Sequence, residues 1–193
     1  DIDLIIGGHA PKLIIYENTN DGTFREKSTT IDLASKEFHT VIDYNNDGFV
    51  DLFFSVFENE SLQSWMFFRN NKSGGFKFDE EASRSYKSIP NLLSTAFGDY
   101  NSDGFIDMLC SFRDTSTVLY QNYGNTNNWV HINLTGIKSN SFGIGARVKI
   151  VAGDLVQTKD MLCPVDAIQK IQHSQTLEFG LGEHSSIDSI LVS

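Results

Sequence analysis

Cysteine, proline, basic clusters and long apolar runs are all scarce in this chain. Among 193 residues there are two cysteines, Cys110 and Cys163, and three prolines. Two scattered thiols supply neither a disulfide framework nor the paired spacing of a zinc site. No segment approaches the roughly 18 to 20 uninterrupted apolar residues that a membrane-spanning helix requires, so membrane insertion of this segment is not expected. Fifteen basic residues stand against 25 acidic ones, giving −10, and they form no basic cluster. Such a chain repels phosphate backbones and anionic lipid, which argues against nucleic acid as a partner. Long runs of helix formers are also missing. Phe, Ile, Val, Tyr and Thr recur instead in short bursts between Gly, Asn and Asp, an all-β pattern.

The sequence does contain internal repetition. Asp43-Tyr-Asn45-Asn-Asp47-Gly48-Phe49-Val-Asp51 returns 56 residues later as Asp99-Tyr-Asn101-Ser-Asp103-Gly104-Phe105-Ile-Asp107, and each copy leads into an apolar run. The tail of a third copy opens the chain, where Asp3-Leu4-Ile-Ile aligns with Asp51-Leu52-Phe-Phe. Tyr16-Glu-Asn18, Phe68-Arg-Asn70 and Tyr120-Gln-Asn122 follow at a matching place; their asparagines lie 15, 19 and 15 residues after Asp3, Asp51 and Asp107. Each unit reads as acidic loop, apolar strand, short turn, a second strand ending in aromatic-x-Asn, and a polar connection. The four extra residues of the middle copy are expected in a polar turn at 58–64. A repeat of about 50 residues made of short strands suits a β-propeller blade or a solenoid.

After Asn122 this pattern stops, and a Gly/Asn/Thr linker leads to Trp129. Strands are expected near 129–134, 146–151, 155–161, 176–179 and 187–192, without a helix. The organisation expected is therefore a repeat region over 1–124 and a small antiparallel β domain over 125–193.

The nonamers place side-chain oxygens at positions 1, 3, 5 and 9 and a backbone carbonyl at position 7. Glycine at position 6 permits the sharp turn that would bring them together. A donor set of hard oxygens alone selects calcium over zinc or copper, and magnesium prefers stricter six-coordination. Three carboxylates in one small loop repel one another unless a cation lies between them. An isolated Asp-Gly, such as Asn20-Asp21-Gly22, reads as an ordinary hairpin turn. A turn does not require acids and amides at positions 1, 3 and 9 as well. An EF-hand is excluded because position 12 is Phe54 in one copy and Cys110 in the other, where a bidentate Glu is required.

The nonamers, their apolar strands and the aromatic-x-Asn motif resemble FG-GAP/VCBS repeats, the calcium-loop repeats of integrin-α-type propellers. The run Asn128-Trp129-Val-His-Ile-Asn-Leu-Thr-Gly136, with Gly143-Ile-Gly145-Ala-Arg147-Val148, Ser174-Gln175 and Phe179-Gly-Leu-Gly182, is similar to the ASPIC/UnbV domain. The pairing resembles the cartilage acidic protein family and, more distantly, the T-cell immunomodulatory protein group. The resemblance implies an all-β fold, a partial β-propeller plus a small C-terminal antiparallel β domain. It implies two calcium sites. One is made by Asp43, Asn45, Asp47, the Phe49 carbonyl and Asp51; the other by Asp99, Asn101, Asp103, the Phe105 carbonyl and Asp107. The resemblance implies a ring that closes with about seven blades, and three units cannot close one, so two full units and a fragment point to part of a longer polypeptide. The start at Asp1, without an initiator Met or a signal-type segment, reads as that of a mature or partial chain.

Other residues read more plainly. Cys110 holds an apolar slot of the repeat, which favours a buried free thiol over a Cys110–Cys163 bridge. His9, His39, His131, His173 and His184 show no ligand or triad spacing and are expected in packing or at the surface. Three sequons, at Asn59, Asn71 and Asn133, are compatible with glycosylation. No nucleophile elbow, His-Glu-x-x-His or phosphate-cradling loop occurs. The expected function is that of a non-enzymatic, calcium-stabilised, secreted or cell-surface interaction module whose partners are other proteins, matrix or glycan. The alternatives are an accessory region of a larger secreted enzyme and a structural subunit of an extracellular or ciliary-surface assembly.

Overall fold

The computed structural model describes residues 3–6, 12–32, 36–58, 62–84, 92–112, 116–138, 140–162, 165–166, 171–173 and 176–193. Strand accounts for 54% of the structure against 3% helix, so the all-β reading holds. By internal contacts the chain forms two compact units. The first comprises Asp1–Ile42 and Asp51–Asn91; the second comprises Asp43–Val50 and Leu92–Ser193.

The first unit carries two antiparallel sheets. One is the fragmentary first repeat, β1 (Leu4–Ile6), β2 (Lys12–Asn18) and β3 (Phe24–Asp32), paired in that order. The other is a four-stranded blade in simple meander order: β4 (Lys36–Ile42), β5 (Asp51–Glu58), β6 (Leu62–Asn70) and β7 (Phe76–Asp79). Leu13 and Ile31 from one sheet pack with Leu52 and Phe54 from the other. On the opposite face of β5, the Phe53 ring meets Trp65 edge-on at 5.7 Å and Phe67 at 5.0 Å between centroids. Alternation along β5 thus buries both faces of the strand, which explains why it reads as a continuous apolar run.

Of the span expected as a polar turn, Glu58 and residues 62–64 are paired strand, while residues 59–61 lie outside the described residues. The ladder between β5 and β6 runs from Leu52 opposite Phe68 out to Glu58 opposite Leu62. One short helix, α1 (Glu80–Arg84), was not expected from the sequence. The Asp79 carboxylate accepts from the Ala82 N–H at 2.9 Å, and Glu80 and Glu81 sit in the first turn, where negative charge suits the helix N-terminus. Five residues are too few to show a periodic pattern.

The second unit begins with the first acidic loop, 43–50. Its repeat sheet contains β8 (Leu92–Gly98), β9 (Asp107–Phe112) and β10 (Val118–Tyr120). The C-terminal region supplies β11 (Asn128–Ile132), β12 (Arg147–Ala152), β13 (Leu155–Asp160), β14 (Val165–Asp166), β15 (Ile171–His173), β16 (Leu177–Gly182) and β17 (Ser189–Val192). β11 pairs with β16, and β12 lies between β13 and β17. Val148, Ile150, Ala152, Met161, Leu177, Phe179 and Leu181 form the core they share. All five strands expected here are present. Two more, β14 and β15, join the repeat sheet, with β15 running parallel to β8. Every other strand pairing in the described structure is antiparallel, as expected.

Cys110 is fully buried on β9 and carries a free thiol, pushed up to about 12 by burial. Cys163 lies outside the described residues. His184 reaches Asp154 at 3.0 Å, while the structural surroundings of His9, His39 and His173 lie outside what is described.

Candidate metal centre

Each nonamer joins the first and second strands of its blade: the first loop lies between β4 and β5, the second between β8 and β9. Both turn by the same backbone device. Asn46 and Gly48 take positive φ of 57° and 87°, and Ser102 and Gly104 take 60° and 90°. The glycine is required there because a side chain in this region is strained. The ordinary hairpin at Asn20 and Gly22 and the turn at Lys72 and Gly74 adopt the same pair of conformations. The backbone bend alone therefore does not distinguish the acidic loops; their side chains do.

In the first loop, Asp43 Oδ1 accepts from the Asp47 N–H at 3.1 Å and Asp43 Oδ2 from the Gly48 N–H at 2.9 Å. Asn45 Oδ1 accepts from the Asp47 N–H at 2.9 Å, and Asp47 Oδ1 from the Phe49 N–H at 3.0 Å. The second loop repeats the scheme. Asp99 takes the N–H groups of Asp103 and Gly104 at 3.1 and 2.7 Å, Asn101 takes that of Asp103 at 3.2 Å, and Asp103 takes that of Phe105 at 2.9 Å. The Asn101 amide also donates to Asp103 Oδ2 at 2.7 Å. The ring of Phe105 is buried, and a Cβ at Gly124 would stand 2.4 Å from it.

The position-9 aspartates explain the aromatic-x-Asn motif. Asp3, Asp51 and Asp107 each accept, through Oδ1, the backbone N–H of the asparagine in their own repeat: Asn18 at 2.9 Å, Asn70 at 2.8 Å and Asn122 at 2.7 Å. Each asparagine then accepts through its side-chain oxygen from the N–H two residues on, at Asn20, Lys72 and Gly124. This staple closes all three repeats, including the first, where the described structure begins at position 9. It also fixes the register, since Leu4, Leu52 and Met108 lie opposite Tyr16, Phe68 and Tyr120.

The sequence reading missed the residues that seat the loops in the second unit. The side-chain amides of Asn122, Asn125 and Asn127 donate to the carbonyls of Tyr44 and Asn45 at 2.7 to 2.9 Å. Asn46 donates to the Gly104 carbonyl at 2.8 Å, linking one loop to the other. From β16, the Gly182 N–H donates to the Asn46 carbonyl at 2.9 Å. The Asp99 N–H donates to Glu178, and His131 Nε2 lies 3.9 Å from Asp99 Oδ2. A Cβ on Gly104 would overlap the Trp129 ring at 1.7 Å, so the indole lies flush on the second loop. The run of asparagines at 122–128 signalled a linker, but its amides cap carbonyls that are distant in sequence.

Burial sets the electrostatics. Asp43 is 5% exposed, and loss of water pushes its carboxyl from 3.8 up to about 6, against the pull of the Gly48 and Asp47 N–H groups and the Lys159 ammonium. Asp107 is raised by burial and by its neighbours Asp103 and Asp99. Glu178 is raised by burial too, and Lys159 is lowered by it. A carboxylate whose folded pKa lies above its unfolded value costs stability when ionised. In chelator, the thermal midpoint of the second unit is therefore expected to rise as pH falls from neutral to about 5. Protonating Asp43 alone is worth at most about 3 kcal/mol. His131 opposes this with a single proton, since burial disfavours its charged form. Unfolding scans across that range check the sign; a midpoint that falls steadily with pH contradicts it.

In donor chemistry the residues fit a hard dication. Every side-chain donor is oxygen, the acids carry the charge, and a carboxylate or amide oxygen that accepts one N–H keeps another lone pair. As placed, those oxygens are spread along backbone N–H groups. Among the described residues, no three His, Cys, Asp or Glu side chains gather as metal ligands.

The chain belongs to the FG-GAP-like repeat family, whose model matches residues 1–54 and 43–110. The ASPIC and UnbV model matches residues 136–193, so the repeats are followed by a domain of that kind. Among curated proteins, the chain is similar to a T-cell immunomodulatory protein homolog of Plasmodium falciparum (isolate 3D7). The two are 28% identical over 102 residues, covering 51% of this chain. The chain covers 13% of that protein's length.

Proposed function

We propose that this chain is a calcium-stabilised interaction module of a secreted or cell-surface protein, without catalytic activity of its own. The observation that carries the reading is the duplicated oxygen-only loop whose buried acids stand at a cost until a cation neutralises them. Asp43, Asn45, Asp47, the Phe49 carbonyl and Asp51 would hold one calcium ion; Asp99, Asn101, Asp103, the Phe105 carbonyl and Asp107 would hold the other. The ions would supply charge neutralisation and fix the strand ends on either side of each loop. FG-GAP-like repeats support protein–protein contact as the role. Among the described residues no helix is long and apolar enough to cross a membrane. Millimolar extracellular calcium suits loops of this kind.

The test is a calcium titration of the 193-residue chain and of Asp47→Ala with Asp103→Ala. The wild-type chain is expected to take up two ions and the double variant to lose both. Equal uptake by the two proteins would show that the ligands are misassigned.

A further inference from the structure

The two nonamers are nearly the same in sequence, yet the strand beneath them treats them differently. The first loop rests directly on β16. A Cβ placed on Gly180 would lie 2.3 Å from Asp43 Oδ2 and 2.5 Å from the Asn46 backbone, so the acid and this strand are in close contact. The neighbouring residues of β16 anchor a cation. Lys159, reaching over from β13, donates through Nζ to the Glu178 carbonyl and sits 5.1 Å from the centre of the Phe179 ring. Glu178, Phe179 and Gly180 thus bring the ammonium and the first loop's leading aspartate to the same stretch of β16, where the Lys159 charge acts on Asp43 through space. The Gln157 amide fixes the same stretch by donating to the Gly180 carbonyl at 2.6 Å.

The second loop meets the opposite charge. The Asp99 N–H points at the Glu178 carboxylate, so an anion abuts its leading aspartate. Lys159 acts on that carboxylate as well as on Asp43, and the His131 imidazole, whose charged form burial disfavours, lies 3.9 Å from Asp99 Oδ2. A charge held in a partly desolvated setting acts on its neighbours far more strongly than one in water.

Resting on the calcium reading above, we infer that Lys159 is a counterion built into the first acidic loop, and that it makes the two loops unequal. It partly neutralises Asp43 when no metal is bound. It also repels a dication entering that loop, so the first loop binds calcium more weakly than the second. A purely structural lysine would lower stability and calcium affinity together. A counterion moves them in opposite directions when it is removed.

The experiment uses the full chain with Asp103→Ala, which silences the second loop, and compares it with the same protein carrying Lys159→Met. Methionine keeps an unbranched stem against Phe179 and removes the charge. Calorimetric titration with calcium is expected to show about tenfold tighter binding in the Met variant, while its midpoint in chelator falls. Unchanged or weaker binding overturns the inference. Lys159→Gln serves the same comparison if the Met variant does not fold. Absence of calcium uptake by the wild-type chain would defeat the calcium reading itself. A double-mutant cycle of Asp43→Asn with Lys159→Met in chelator then decides the counterion role: non-additive midpoints support it, and additive ones overturn it.

Discussion

In millimolar calcium the unit bearing both acidic loops is expected to melt about 10 °C or more above its midpoint in excess chelator. A ligand that binds only the folded state adds about 2.7 kcal/mol per site at a hundredfold excess over Kd. For a unit of this size one kilocalorie moves the midpoint by several degrees. The effect should be large because the folded loops hold acids under strain of charge. Asp43 and Asp107 are 5% and 2% exposed, and burial raises the pKa of both. A dication converts those ionised acids from a cost into ligands. The gain should shrink toward acid pH, where Asp43 is already protonated and a proton competes with the metal. Differential scanning calorimetry in chelator and in calcium at two pH values reads all of this. Coincident traces at neutral pH would remove calcium from the account of the fold.

Gly180→Ala should be strongly destabilising. The new carbon would meet the Asn46 Cα and carbonyl carbon at 2.5 Å as well as the Asp43 carboxylate. Backbone cannot swing aside as the tip of a side chain can. Either β16 retreats from the core it forms with Val148 and Ile150, or the loop lifts and Asp43 loses its Asp47 and Gly48 partners. Overpacking plus the loss of charge-assisted hydrogen bonds amounts to about 3 kcal/mol or more. Gly145→Ala is the control. Its φ is +94° and a Cβ there meets nothing within 4 Å, so it costs backbone strain alone, about 1–2 kcal/mol. Urea unfolding of the two variants separates the effects. Equal midpoints would mean that the first loop is not seated on β16.

Much of the fold was legible in the sequence because its governing rules are local. Alternation and turn residues mark β5, β9 and the strands after Trp129, and the duplicated nonamer announces its own register. The strand that follows the aromatic-x-Asn motif was hidden, in β3 as in β7. β3 reads Phe-Arg-Glu-Lys-Ser-Thr-Thr-Ile-Asp, an edge strand whose polar composition resembles a connection. The strands β14 and β15 were hidden for another reason: they are two and three residues long, and β15 gains its place by pairing with β8, far away in sequence, with β14 paired to β15 in turn. The loop residues themselves were visible as a pattern of oxygens. Lys159, Glu178, Gly180 and the amides of Asn122, Asn125 and Asn127 were not. Each acts on a loop through space, and no spacing rule connects position 159 with position 43. The aromatic-x-Asn motif lay between these cases, recognisable as a repeat mark but without a stated purpose until its N–H was found on the position-9 acid.

That Asp-to-Asn bond is the zero point from which each blade is measured. Strand pairing is counted outward from it, and among the described residues the middle repeat runs its β5–β6 ladder further than its neighbours while the pairing at the stapled end stays unchanged. The far tip of a hairpin is thus a free variable and the near end a constant. Length can therefore be added at the end of a hairpin away from its acid loop without any change at the loop, which makes that end the place for new binding sequence on an old scaffold.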